Sequence, residues 1–474
     1  MSSTVSSLDA ARVMARHAAL LSFGDLPAPA VEASRCDLLD TLGVAIAGWK
    51  APGCAEVRAL VLEQYPSGSA TVWSSGRQAP PAEAALANGT MAHALDFDDT
   101  HDASVLHAGV SVIPAALAVA EHVGGVSGKE LLAAITVGID WVCRMGMAAT
   151  IGPVASGWMY TSLFGHFGAT AAAGRLLKLS EQQMEHAIGI AFAQAAGNTQ
   201  CMIDGSLTKR MQPGFAARGG ILSAMLARSG ITGTIGTFDG PAGLYRICLN
   251  GNYDRDTLLR DLGSKFLGTE LSYKPYPACR YTHTAIEATL ALAQRHAIDP
   301  ATIESIEVGT NENAYRNVST PLEVKTRPRS VVDAQFSIPY CVAAALVRGQ
   351  VFIDDFHPEA FADETVLRIA AKVRPFADPE IQASHPRDIS PATVAIRLKD
   401  GRVLSCRQDS AKGGADNPMS FDELADKFRR CARYAGLPEG HGRTERLVDM
   451  VSRVDELADV RELARAISGD PHGT

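Results

Sequence analysis

The chain has 474 residues, 46% hydrophobic and 20% charged, with a net charge of -8 from 44 basic and 52 acidic residues. That length builds two or three domains, or one large domain with an insertion, and buries a core without staples. The acidic balance argues against a nucleic-acid partner and leaves any anion site to local cations and helix N-termini. Nine cysteines between Cys36 and Cys431 include no C-x-x-C pair, the pattern of reduced thiols rather than of disulfides or a zinc site. Met1–Asp9 lacks a basic-then-apolar leader, and no stretch supplies about 20 uninterrupted apolar residues. A cytoplasmic protein without a membrane partner is expected.

Residues 1–270 read as helices. Val31, Leu38, Leu39, Leu42 and Ile46 recur at helical spacing on one face. Ser127 with Glu130, and Ser180 with Gln183, form capping-box patterns ahead of apolar runs. GHFGATAAAG (165–174) and AFAQAAG (191–197) are rich in small residues, which let helices approach closely. The pattern changes near residue 271. Ile306 and Val308 alternate with polar neighbours, and Val394, Ile396 and Leu398 lead into Asp400-Gly401 and Val403, a hairpin signal. Helical patterns near 282–296 and 333–348 share this region. Helix returns with the capping pair Ser420 and Glu423 and again over 448–468. The predicted architecture is mainly α: a helical domain from residues 1–270 plus 411–474, with a smaller α+β domain inserted at 271–410.

The densest polar cluster is His93, Asp96, Asp98, Asp99, Thr100, His101, Asp102 and His107. His93 and Asp96 are three apart and would share a helical face. His107 opens an apolar helix, and a helix N-terminus favours a neutral imidazole suited to act as a base. The bland alternative is a helix–loop–helix with solvated acids. Lys209 precedes a helix expected to start at Pro213, where it would add charge to an anion site or simply be a surface lysine. In YKPYPACRYTH (273–283), two prolines stiffen a loop bearing Lys274, Arg280 and His283. Arg280 could clamp a carboxylate, or the segment could be a domain-linking turn. Asp98–Asp102 also fits the D-D-x-x-D pattern of helical terpenoid synthases, but no second metal motif accompanies it. No Gly-rich dinucleotide loop, Walker loop, H-E-x-x-H or G-x-S-x-G is present.

Taken together, LLDTLGVAIAG (38–48), ANGTMAHALDFDDTH (87–101), HAGVSVIPAALAVAE (107–121), GWMYTSLFGHFGATAAAGRLLKL (157–179), the Lys209 segment, KPYPACRYTH (274–283) and DAQFSIPYCVAAAL (333–346) resemble the MmgE/PrpD family. That family includes 2-methylcitrate dehydratase, cis-aconitate decarboxylase and iminodisuccinate epimerase. The resemblance implies a helical domain from both chain ends, an inserted lid domain, a homodimer, an active site between the domains, and no metal or organic cofactor. Asp96, Thr100, His107, Lys209 and Lys274 match the family's polar active-site positions. Two positions depart. The family pattern G-[FW]-H-x-T has histidine where this chain has Met159, and a histidine often follows the Lys209 position where this chain has Gln212.

Dehydration needs an acid to protonate the departing hydroxyl, so losing those histidines weakens that reading. The expectation is therefore proton abstraction next to a carboxylate of a small di- or tricarboxylic acid, with epimerisation of an iminodisuccinate-like dicarboxylate foremost. A hydro-lyase of the 2-methylcitrate type is the alternative, then a decarboxylase, then a non-catalytic helical scaffold. His107 is the expected base, oriented by Asp96, with Lys209 or Tyr160 as the second. Lys274, Arg280, His283 and Thr100 would bind substrate alongside Met159 and Gln212.

Overall fold

The structure is a computed structural model that describes residues 8–386, 389, 391–437 and 442–469. The protein is mainly α and divides into two units: Met1–Ala94, Asp98–Leu271 and Ser420–Thr474 form the first, Leu95–Phe97 and Ser272–Met419 the second. Two segments group differently from the sequence-based bounds. Leu95–Phe97 belongs with the second unit because the Leu95 carbonyl accepts from Gln335 and the Phe97 ring packs edge-on against Phe352. Residues 411–419 join it because Tyr273 N–H donates to the Gly413 carbonyl and Arg280 holds the Ala411 and Lys412 carbonyls.

The first unit includes α1 (Ala10–Leu20), α2 (Ala28–Gly48), α3 (Pro81–Ala92), α4 (Gly109–Val123), α5 (Gly128–Ala148), α6 (Gly165–Leu176), α7 (Glu181–Phe192), α8 (Thr208–Arg228) and α9 (Phe421–Tyr434), together with further helices such as Cys54–Gln64 and Arg443–Ser452. Ser127, Ser180 and Ser420 cap α5, α7 and α9 through the expected boxes. Each box satisfies amide donors that a helix start leaves without partners. Helix α8 packs on α3 and α6, α5 on α6, and α2 on α9. From Cys36 to Gly48, α2 is buried on every side, so the apolar stripe read from its sequence understates its burial. Among the described residues, α5 is long and apolar enough to cross a membrane, but 94% of its apolar window is buried and it carries the Asp140–Arg144 ion pair.

Small residues let α5 and α6 meet almost backbone to backbone. A Cβ on Gly168 would lie 2.3 Å from Val142 Cγ2 and 2.6 Å from the Gly138 carbonyl oxygen. Gly168→Ala should therefore destabilise the fold by about 1–3 kcal/mol, read as a lower urea midpoint at unchanged m-value. A midpoint equal to the wild type would show that the two helices can part without cost.

In the second unit a four-stranded sheet runs β2 (Val373–Ala377), β1 (Ile303–Thr310), β3 (Ala392–Leu398), β4 (Val403–Gln408). The β1–β2 pair is parallel and the others antiparallel. The predicted hairpin is present: Leu398 N–H donates to the Arg402 carbonyl, and Gly401 takes the positive φ that the turn requires. Ala392, Val394, Ile396 and Leu398 all face the core, as their alternation requires. The helices His283–His296 and Ile338–Arg348 pack on this sheet; the second is shorter than its sequence pattern because the backbone breaks at Phe336.

Candidate active site

Helix α3 stops at Ala92, and Asp96 adopts a left-handed backbone (φ 53°), so His93 and Asp96 do not share a helical face. His93 Nδ1 instead lies 2.8 Å from Asp98 Oδ2, and His107 Nδ1 lies 3.0 Å from the same oxygen. The two rings meet edge to face, with centroids 4.8 Å apart. His107 Nδ1 also contacts the Asp99 carbonyl oxygen. A carbonyl can only accept, so Nδ1 carries the proton. Nε2 of His107 makes no hydrogen bond among the described residues, and the side chain stays 16% exposed. Asp98 therefore orients His107, the role expected of Asp96.

Asp98 and Asp99 are fully buried rather than solvated. Burial alone would raise the Asp98 carboxyl, but His107 and His93 hold it well below the usual carboxylate range. His93 is pushed down to about 4 by burial, with Lys209 and His107 acting the same way and Asp98 opposing. His93 is thus neutral near pH 7, and its Nε2 has no partner among the described residues. One ring nitrogen each of His93 and His107 and an Asp98 oxygen lie within 4.8 Å of one another, close enough to share a metal ion. Here both Nδ1 atoms share one Asp98 oxygen in a hydrogen-bond relay.

Helix α4 begins at Gly109, two residues after His107. Asp99 accepts from the Ala108 and Gly109 amides at 2.8 and 3.2 Å, while its carbonyl holds the His107 ring. The His107 amide donates to Thr161 Oγ1 at 3.1 Å. Asp98, Asp99, His93 and Thr161 thus jointly fix one imidazole. Sequence reading misses Thr161; it places the other three in the cluster, with His93 beside Asp96 rather than Asp98.

Helix α8 starts at Thr208, not at Pro213, so Lys209 lies inside its first turn and is buried. Pro213 lacks the N–H that would bond the Lys209 carbonyl. Thr100 is buried, and its Oγ1 has no partner among the described residues. Met159 is buried just before the short helix Tyr160–Leu163. The Tyr160 hydroxyl donates to the Ile151 carbonyl, and burial raises its pKa, so it is poorly suited to act as a base. Gln212 accepts from the Asn198 amide at 2.8 Å and donates to the Asn198 carbonyl at 3.0 Å, clipping the 198–201 segment.

In the second unit, Lys274 Nζ donates to the carbonyl of Asp96 at 2.9 Å and to its Oδ2 at 3.2 Å, which anchors the left-handed residue. Arg280 donates to the Lys412 carbonyl at 2.7 Å, the Ala411 carbonyl at 3.3 Å and His283 Nδ1 at 3.2 Å. His283 is fully buried, donates from Nε2 to the Ala278 carbonyl, and is driven well below its usual pKa by burial and then by Arg280. Arg280 and His283 therefore hold the loop that presents Lys274.

The chain matches the MmgE/PrpD N-terminal domain over residues 12–256 and the MmgE/PrpD C-terminal domain over residues 276–453. It is 30% identical to a cis-aconitate decarboxylase-like protein of Aspergillus oryzae, covering 94% of both chains. A cis-aconitate decarboxylase of Aspergillus terreus is 27% identical, with 94% of both chains covered. A 2-methylcitrate dehydratase of Escherichia coli is 23% identical over 73% of this chain and 74% of its own length. The two consecutive domain matches and the end-to-end similarity place the chain in the MmgE/PrpD family.

Proposed function

We propose that this chain is a cofactor-independent enzyme acting on a small tricarboxylate, and that it decarboxylates a cis-aconitate-like substrate with His107 delivering one proton to carbon. One observation carries the reading. His107 has its Nδ1 tied to a charged Asp98 and its Nε2 uncommitted, whereas the Tyr160 hydroxyl and the Gln212 amide are already engaged. Loss of CO2 from an allylic carboxylate needs a single proton transfer. The breaking C–C pair becomes the new double bond, and the old double-bond pair takes the proton from Nε2. Asp98 balances the imidazolium beforehand, and solvent restores the proton afterwards. Dehydration needs two proton transfers. The names of the relatives that match end to end agree with decarboxylation. Lys209 is assigned a substrate carboxylate in this reading, and Thr100 a hydrogen bond to substrate.

Epimerisation of a dicarboxylate, foremost in the sequence reading, is the second possibility. Lys209 favours it, because epimerisation needs a proton donor besides the base, and Lys209 is a buried ammonium whose charge acts on His93.

Proton NMR in deuterated water separates these outcomes across a panel of di- and tricarboxylates. The expected result with cis-aconitate is CO2 release and a terminal alkene carrying one deuterium at the neighbouring methylene. Deuterium uptake with inversion and no CO2 would replace decarboxylation by epimerisation. Gain or loss of water would make the protein a hydro-lyase, and an inert panel would favour the scaffold.

A further inference from the structure

Helix α2 carries Asp37 and Thr41 beneath the segment that presents His107. Asp37 is fully buried, and neither of its oxygens has a hydrogen-bond partner among the described residues; Thr41 Oγ1 also has none. All three atoms converge on the head of α4. A Cβ on Gly109 would meet Asp37 Oδ2 at 2.7 Å, Thr41 Oγ1 at 2.8 Å and Asp37 Oδ1 at 2.9 Å. Gly109 is also the residue whose amide donates to Asp99. Two buried carboxylates therefore flank one glycine. Asp99 receives both amides and the positive end of the helix dipole, and Asp37 receives no donor. A buried carboxylate without donors is not stable as an anion, and two carboxylates in one dry site do not both ionise.

We propose that Asp37 is a positioning residue for His107: it carries a proton in the working enzyme and lets Asp99 alone hold the negative charge at the head of α4. Asp99 is the lever, since its carboxylate holds the amides of residues 108 and 109 while its carbonyl holds the His107 ring. When Asp37 loses its proton, repulsion pushes Asp99 off those amides and His107 loses its orientation. The groups facing Asp37 are Asp40 and the Cys36 thiol on its own helix, Asp98 and Asp99 on the 98–108 segment, Lys427 on α9 and the Cys143 thiol on α5. Burial, then Asp99, Asp40 and Asp98, raise Asp37 well above the usual range, with Lys427 opposing. Burial and then Asp98 raise Asp99 to about 7, so the pair titrates as one system.

The proposal rests on His107 being the proton-transfer group, and Asp37→Asn tests it with and without turnover. The asparagine preserves the shape of the neutral carboxyl and cannot ionise. The alkaline limb of kcat against pH is expected to move up by at least one pH unit in the variant, and an unmoved limb would overturn the positioning role. Without substrate, a raised carboxyl contributes stability that is present at low pH and lost as pH rises through its folded-state value. The wild-type Tm should fall relative to Asp37→Asn as pH rises above the ordinary carboxylate range, levelling off once Asp37 is ionised in the folded state, and the infrared band of a protonated carboxyl should weaken in the variant. Parallel Tm curves with an unchanged band would overturn the proton on Asp37. If the wild type turns over no tricarboxylate, the functional reading fails while these substrate-free measurements still decide the state of Asp37.

Discussion

His107→Ala lowers kcat by about 100-fold or more, the usual contribution of a positioned proton-transfer group. The effect should fall on kcat and kcat/KM together, because the lost interaction exists only where a proton moves. The fold should survive. His107 is partly exposed, and Asp98 keeps its bond to His93 after the ring is removed. A thermal midpoint near that of the wild type is the control. Added imidazole should restore part of the rate, since the truncated side chain leaves space beside the Asp98 oxygen that holds the ring in the wild type. His107→Asn separates proton transfer from packing, because the amide fills part of the space and cannot transfer a proton at neutral pH. Wild-type turnover in either variant removes His107 from the mechanism and with it the one-proton argument for decarboxylation.

The His107 region was legible in the sequence as a cluster but not as a set of pairs. Helical periodicity carried α3 past Ala92 and so put His93 beside Asp96. The backbone turns left-handed at Asp96, and that residue is taken by Lys274, 178 positions away. Local patterns carry no information on such distant pairings. The same limit hid the carboxylates of α2. Asp37 and Asp40 stand three apart beside Leu38, Leu39 and Leu42, a visible anomaly, but only tertiary packing brings Lys427 and the head of α4 to them. Proline misled in a different way. Pro213 was read as a first-turn residue, yet α8 already starts at Thr208. The capping boxes and the Asp400-Gly401 hairpin were readable because each is settled by contacts within a few residues.

Lys427→Met should cost about 3–5 kcal/mol of stability, the range for removing one partner of a buried ion pair. Lys427 Nζ lies 2.7 Å from Asp40 Oδ1, with the two side chains 5% and 0% exposed. Methionine keeps the length and apolar stem of lysine, so packing between α2 and α9 changes little and the loss is electrostatic. Lys427 is also the cation that opposes the upward shift of Asp37. Removing it leaves Asp37, Asp40, Asp98 and Asp99 together with less compensating charge, which favours proton uptake or opening of the helix pair. Adding Asp40→Asn to Lys427→Met should recover more than half of the lost stability, because the double variant no longer buries an uncompensated carboxylate there. Urea denaturation of the two single variants and the double variant gives the coupling directly. A loss below about 1 kcal/mol for Lys427→Met would put this contact in the range of a solvent-screened surface pair. A double variant no more stable than the single would mean that lost packing, not charge, sets the cost.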